Sequence, residues 1–210
     1  MTAPRIYLAC LASYNNGRLH GRWIDLDGAN LDDVQGEIAA MLRESPYPNV
    51  TVECPECDGE GSLVSDGSTN PITVVTCETC KGTGKVPSAE EWAVHDSEDL
   101  PAGFRDTEWP DLAKLIDRLE ELEDLTDDER EAFDAFAEVE EEPSVETFRE
   151  RYIGEFKSWA DMAEHFVEES GLLSEVPENF ARYFDYESYG RDMRVSGGAF
   201  ESDGHYFWNL

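Results

Sequence analysis

Two copies of one short pattern constrain this chain more than any other feature. Cys54-Pro55-Glu56-Cys57-Asp58-Gly59-Glu60-Gly61 is repeated further on as Cys77-Glu78-Thr79-Cys80-Lys81-Gly82-Thr83-Gly84. Both have the form Cys-x-x-Cys-x-Gly-x-Gly. Each pair makes a knuckle, and the glycines after it let the backbone turn tightly around the sulfurs. Two knuckles together present four thiolates with the C-x2-C…C-x2-C spacing of a tetrahedral zinc site. Four protein ligands leave no open position, so the spacing predicts one structural Zn2+ on Cys54, Cys57, Cys77 and Cys80. A redox dithiol pair and an iron–sulfur centre are the alternatives. Between the knuckles, Leu63–Thr76 carries a Ser/Gly/Asn turn cluster and then Ile72-Thr73-Val74-Val75, which reads as a hairpin. The fifth cysteine, Cys10, falls in an apolar run and reads as a core residue.

Cys-x-x-Cys pairs that serve metal belong to a reducing compartment. No segment approaches the ~20 apolar residues that span a bilayer. The run Ile6–Ala12 follows almost no positive region and is too short for a secretory signal. The expected location is cytoplasmic.

Around the knuckles the chain alternates strand and helix signals. Ile6–Leu11 reads as a buried strand, Asn15-Asn16-Gly17 as a turn, and Leu19–Leu26 as a second strand with Leu19, Trp23 and Ile24 as core candidates. Asn30 can cap a helix from Leu31 to about Glu44, with Leu31, Val34, Ile38, Met41 and Leu42 on one face and Pro46 and Pro48 beyond its end. From Pro110 the chain becomes helical. Leu112, Leu115, Ile116, Leu119 and Leu122 form a stripe. Thr126 and Glu129 form a capping box for a helix with Phe133, Phe136 and Val139 inward. Ser144 can cap a third helix with Val145, Phe148 and Tyr152 inward. Ser158 can cap a fourth with Trp159, Met162, Ala163 and Phe166 inward, closed by Gly171. Pro177 opens a short fifth with Phe180 and Phe184 inward. The tail Met193–Leu210 reads as two strands around Asp203-Gly204.

Charge enters here. The chain has 210 residues with 48 acidic and 16 basic side chains, a formal net charge of −32. Hydrophobic residues make up 40% and aromatics 11%, so a core can form and disorder is not implied. Of the acidic residues, 36 lie from Pro87 onward, with 10 of the basic ones. Such a chain disfavours nucleic acid as a direct ligand and favours a partner with a basic groove. A duplex carries one charge per ~1.7 Å, so this net charge equals that of ~16 base pairs. Crowding it onto a small sphere costs self-repulsion, which an elongated shape relieves. Charge alone leaves a second reading open, halophilic solubility, and only four of the basic residues are lysines.

The arrangement of the acids is more informative. Asp127, Glu131, Asp134, Glu138 and Glu141 step by four and three residues, which places them on one helix face opposite Phe133 and Phe136. At 1.5 Å rise per residue their spacing averages ~5 Å, of the order of the ~3.4 Å between phosphates along a strand. Like charges four apart destabilise a helix, and a face serving solubility usually mixes signs. Asp117, Glu121 and Asp124 repeat the pattern opposite the leucine stripe. Asp161, Glu164 and Glu168 repeat it opposite Trp159 and Phe166. A solvated face explains any one stripe; three in one region favour display of charge. No motif of an activated nucleophile, a P-loop, a dinucleotide fold or His-Glu-x-x-His is present, and His95-Asp96 lacks a nucleophile to serve. No enzyme is expected.

Several blocks carry a resemblance. Pro4-Arg5-Ile6-Tyr7-Leu8-Ala9-Cys10-Leu11-Ala12-Ser13-Tyr14-Asn15-Asn16-Gly17-Arg18-Leu19-His20-Gly21-Arg22-Trp23-Ile24-Asp25 closely resembles the start of the ArdA antirestriction proteins. Glu90-Glu91-Trp92-Ala93-Val94-His95-Asp96 is similar to the next block of that family. Gly171–Asn179, continuing through Tyr183-Phe184-Asp185-Tyr186-Glu187 to Arg191-Asp192, resembles its antirestriction motif, and Asp203-Gly204-His205 fits its close. The resemblance implies an elongated, dimeric mimic of bent B-form DNA that occupies the DNA-binding groove of type I restriction–modification enzymes. Leu172, Leu173, Val176, Pro177, Tyr183, Phe184 and Asp185 would lie in the motif near the dimer interface. The cysteine repeat is similar to the zinc-binding region of the DnaJ co-chaperones. Those have four repeats for two zincs; this chain has two, enough for one, and lacks a His-Pro-Asp motif. ArdA proteins usually run almost directly from the first helix to the Glu-Glu-Trp block, so Val50–Val86 is an insertion, and zinc is expected to brace it.

The expected fold is α+β, an elongated multi-part chain. Its parts would be an N-terminal α/β domain (1–48 plus 87–108), the zinc module (49–86), a central acidic helical domain (109–157), and a C-terminal domain with the dimer interface (158–210). The competing functions are a zinc-dependent, DnaJ-like peptide-binding module and an acidic halophilic structural protein.

Overall fold

The computed structural model describes residues 3–65 and 73–209. The fold is mixed α+β, with small antiparallel sheets throughout. It divides into two units, Met1–Leu100 with Phe104–Leu119, and Pro101–Gly103 with Glu120–Leu210.

The first unit is built on β1 (Arg5–Cys10), the middle strand of a sheet between β2 (Gly21–Asp25) and β7 (Trp92–Glu98). The buried Ile6, Leu8 and Cys10 alternate along β1 and face helix α2 (Leu31–Arg43). Val34, Ile38, Met41 and Leu42 return that contact from the apolar face of α2, as the helical period requires. Asn30 caps α2 through a bond from the Asp33 amide, 2.9 Å. Leu115 and Leu119 of helix α3 (Leu112–Glu121) complete this core. A short helix, α1 (Leu11–Asn15), takes the place of a direct turn after β1, and Gly17 closes it at φ 74°.

The second strand corrects one expectation. Ile24 and Leu26 are buried, but Leu19 is 66% exposed and Trp23 36% exposed. Neighbouring residues of a strand point to opposite faces, so Trp23 and Ile24 cannot share a core. Trp23 instead packs on the outer face edge-on to Tyr7, centroids 5.6 Å apart, with the Arg5 guanidinium 4.7 Å over its ring. Leu19 lies before the strand begins.

The cysteine-bearing segment starts and ends in a strand pair that spacing alone did not indicate. β3 (Val50–Glu53) runs antiparallel to β6 (Lys85–Ser88), with Val52 opposite Val86. β4 (Ser62–Ser65) pairs with β5 (Thr73–Thr76) as the expected hairpin. Its Ser/Gly/Asn turn cluster and Ile72 lie outside the described residues. Because Val50 sits opposite Ser88, the module leaves the α/β unit and returns to it at one place.

The second unit is organised by its last strand. β10 (His205–Trp208) lies between β8 (Tyr152–Glu155) and β9 (Ala199–Ser202). Phe207 faces the aromatic core of α4 (Asp127–Ala137) and α5 (Val145–Arg151), where Phe133, Phe136 and Phe148 are buried. Tyr206, one residue earlier, joins the other cluster with Met162, Ala199, Trp159 and Met193. Those residues include contributions from α6 (Trp159–Ser170) and α8 (Tyr186–Val195). The period of two thus lets one strand serve both cores. The central helices and the C-terminal elements meet on this strand.

The caps at Thr126, Ser144 and Ser158 form as expected, and Gly171 ends α6 in the left-handed conformation at φ 63°. Four expectations are corrected. α4 stops at Ala137, so Val139 is 56% exposed; four of the next five residues, Glu138, Glu140, Glu141 and Glu142, put negative charge at a helix C-terminus, where the dipole opposes it. Phe180, on α7 (Glu178–Ala181), is 64% exposed, while Phe184 is half-buried against Tyr186 and Tyr189. Tyr152 is half-buried in β8 rather than on α5, and the tail begins as helix α8, with Met193 inside it.

Candidate metal centre and acidic surface

The four repeated cysteines converge. All four are buried, and their sulfurs lie within 4.8 Å of one another. Cys54 and Cys77 are 3.9 Å apart at sulfur, Cys57 and Cys80 3.7 Å. A tetrahedron with metal–sulfur bonds of ~2.3 Å has edges of ~3.8 Å, so the cluster has the dimensions of a four-thiolate metal centre.

The repeat in sequence becomes a repeat in space. The Gly61 amide donates to the Cys57 sulfur at 3.2 Å, and the Gly84 amide to the Cys80 sulfur at 3.3 Å. The Cys54 amide donates to the Gly84 carbonyl at 2.9 Å, and the Cys77 amide to the Gly61 carbonyl at 3.0 Å. Each knuckle therefore completes the other. Gly61 and Gly84 also adopt positive φ, 73° and 71°. A Cβ on Gly61 would stand 2.5 Å from the Gly82 carbonyl oxygen, and one on Gly84 would collide with the Gly59 carbonyl oxygen. Only glycine permits this approach. Burial pushes the Cys57 thiol up to about 12. Cys80 is also desolvated, but the amides of Gly84 and Gly82 and the neighbouring thiols bring it down to about 7. Thiolate-stabilising amides are what a negatively charged metal–sulfur cluster requires.

The acids chosen from the stripes separate into two kinds. Asp117, Asp124, Asp127, Glu131, Glu138, Asp161, Glu164 and Glu168 are exposed, as is Glu141. Glu121 and Asp134 are half-buried and bond to backbone. Glu121 accepts from the Val145 amide at 2.6 Å, at the N-terminus of α5, and Asp134 from the Ala102 amide at 3.1 Å. On α4 the stripe runs through Asp127, Glu131 and Asp134 and ends with the helix; Glu138 caps it and Glu141 lies beyond.

The segment after α6 is open on its apolar side. Leu172, Val176 and Tyr183 are 52%, 38% and 74% exposed. Leu173 is half-buried and Pro177 exposed. Asp185 caps α8, accepting from the Ser188 amide at 2.9 Å and its hydroxyl at 2.7 Å. Those bonds hold its carboxyl below the usual range.

Residues 6–207, from β1 to β10, match the family model described as "Antirestriction protein (ArdA)". The chain belongs to this family. No curated protein matches it. Within this ArdA chain the cysteine cluster occupies the β3–β6 module, and the open apolar segment coincides with the stretch whose sequence resembles the antirestriction motif. No helix among the described residues is long and apolar enough to cross a membrane.

Sequence reasoning missed the strand pair that closes the cysteine module. The β-branched alternation of Val50-Thr51-Val52 was a signal for it, whereas Pro87 argued against a strand on the other side.

Proposed function

We propose that this protein is a cytoplasmic, non-catalytic decoy of DNA that binds type I restriction–modification enzymes and keeps duplex out of their DNA-binding groove. The family match over residues 6–207 carries this reading. The outward carboxylates of α3, α4 and α6, with the net charge of −32, supply its physical basis. They stand where a basic groove would otherwise meet phosphates, and their charge attracts that groove. Two copies would associate through the open segment at Leu172, Val176 and Tyr183, because exposed apolar groups gain by leaving water. The cysteine cluster would hold one structural Zn2+, which braces a module too small to bury a core of its own.

A competition assay tests the proposal. A type I restriction–modification enzyme is held with labelled target duplex while the protein is titrated in at ~50 and ~200 mM salt. Displacement near stoichiometry at low salt, weaker at high salt, is expected. Displacement that ignores salt, or none by folded protein, would overturn the mechanism.

A further inference from the structure

Beside β7, the edge strand of the first sheet, lies a cleft of about 460 Å³. It originates in an irregularity of the strand. Tyr7 pairs with Asp96 and Leu8 with Val94, so His95 is an extra residue that the ladder does not use. Bulges of this kind re-aim a side chain. The His95 ring meets Tyr14 of α1 edge to face, centroids 4.8 Å apart at 81°. This pair stays outside the core: Tyr14 is 55% exposed.

The opposite wall is the stretch Arg105–Glu108, fixed through its backbone. The Val94 amide donates to the Glu108 carbonyl at 2.8 Å. The next residue, Trp109, donates its indole N–H to the Trp92 carbonyl at 3.0 Å. The Asp106 and Glu108 side chains are not needed for these bonds. With Asp96 they give the cleft three carboxylates against one cation, Arg105, whose Nε donates to the Leu100 carbonyl at 2.7 Å.

We propose that this cleft receives one guanidinium side chain of a protein partner, stacked on one ring of the Tyr14–His95 pair and paired with Asp106 and Glu108. An anion is excluded by the sign of the walls. A cation over an aromatic face, with carboxylates beside it, is held both by the ring quadrupole and by charge. A planar guanidinium stacks on rings and forks onto carboxylates, whereas an ammonium is compact and more strongly hydrated. The volume takes the side chain with some adjoining backbone. The choice of a protein partner rests on the proposed function above, which gives this chain a basic groove to enter. A shaped notch would add to it an orientation that scattered surface charge does not provide.

The test needs no restriction enzyme, so it fails or succeeds apart from the decoy reading. The whole zinc-loaded protein is titrated with acetyl-Gly-Arg-Gly-amide, and with the citrulline and lysine counterparts, while the aromatic resonances of Tyr14 and His95 are followed. Saturable shifts with the arginine peptide are expected, at least tenfold weaker with lysine and weaker still with citrulline. Asp106→Asn with Glu108→Gln should weaken arginine binding at least tenfold with an unchanged thermal midpoint. Asp161→Asn with Glu164→Gln, on α6 and not among the residues that line the cleft, should leave it unaltered. Equal binding of arginine and citrulline, or equal loss in both double variants, would overturn the proposal.

Discussion

The cysteine module and the acidic helices are two opposite ways of encoding function in one chain. In the module, position is everything. Four sulfurs within 4.8 Å, two amide donors and two glycine contacts must all be in place. On α4 and α6 most of the stripe carboxylates are exposed and separated by turns of helix, and their effect would be a sum. The first design breaks at a single atom and is insensitive to salt. The second would tolerate any single loss and depend on ionic strength. A chain can carry both because the module begins and ends at one strand pair and does not interrupt the α/β core.

The largest effect should come from the module. Cys77→Ser would remove one ligand of the proposed closed tetrahedron, and structural zinc contributes on the order of 10 kcal/mol to such small folds. We expect loss of one zinc equivalent by metal analysis, and loss of exchange protection at the Gly61 and Gly84 amides. Protection in β1 should persist. Retention of a full metal equivalent would break the four-ligand reading.

Next in size is the collective loss of surface charge. Neutralising Asp127, Glu131, Glu138, Asp161 and Glu164 together removes five exposed charges, each worth ~0.2–1 kcal/mol in a pair. Affinity for the restriction enzyme should fall by about 5- to 5,000-fold, while any one of these changes alone should cost at most a few-fold. A single substitution with the full effect would show that the surface has a hot spot and is not a sum.

Gly84→Ala comes third. It forces a side chain into a left-handed conformation and against the Gly59 carbonyl, which should cost about 1–3 kcal/mol of module stability, read as weaker metal retention. Gly17→Ala is the control: φ is similar, at 74°, but nothing lies within 4 Å, so strain is its whole cost.

How much of this was legible depended on how local the determinant is. The cysteine cluster and the caps at Asn30, Thr126, Ser144 and Ser158 are written in residues three or four apart, and all of them form. The short strands β3, β6 and β8 are defined by partners far along the chain, which no window reveals. α8 was hidden by Gly190, a residue that argues against a helix interior. There the glycine serves packing: a Cβ would collide with the Trp159 carbonyl of α6. The acidic stripes were legible as spacing, but not the split within them. That Glu121 and Asp134 hold backbone amides depends on where Val145 and Ala102 arrive. Glu121→Gln should therefore cost about 1 kcal/mol of stability in chemical denaturation, whereas Glu131→Gln should cost nothing measurable.

The smallest effect separates two kinds of helix cap. Glu129 accepts from both the amide and the hydroxyl of Thr126, each at 2.9 Å, and these bonds hold its carboxyl below the usual range. The Ser188 amide and hydroxyl do the same for Asp185. A carboxyl whose folded pKa is depressed contributes stability above its unfolded pKa, ~4, and loses it as the pH falls through the folded value. The Ser144–Thr147 box on α5 is built from hydroxyls alone, with the Thr147 amide donating to Ser144 Oγ at 3.1 Å. Below about pH 4 the amides that donate to these carboxylates, those of Thr126 and Ser188, should therefore lose protection, while Thr147 keeps its own until the unit unfolds. Simultaneous loss at all three would mean that acid acts on the unit as a whole, through the protonation of its distributed carboxylates, and not through these two caps.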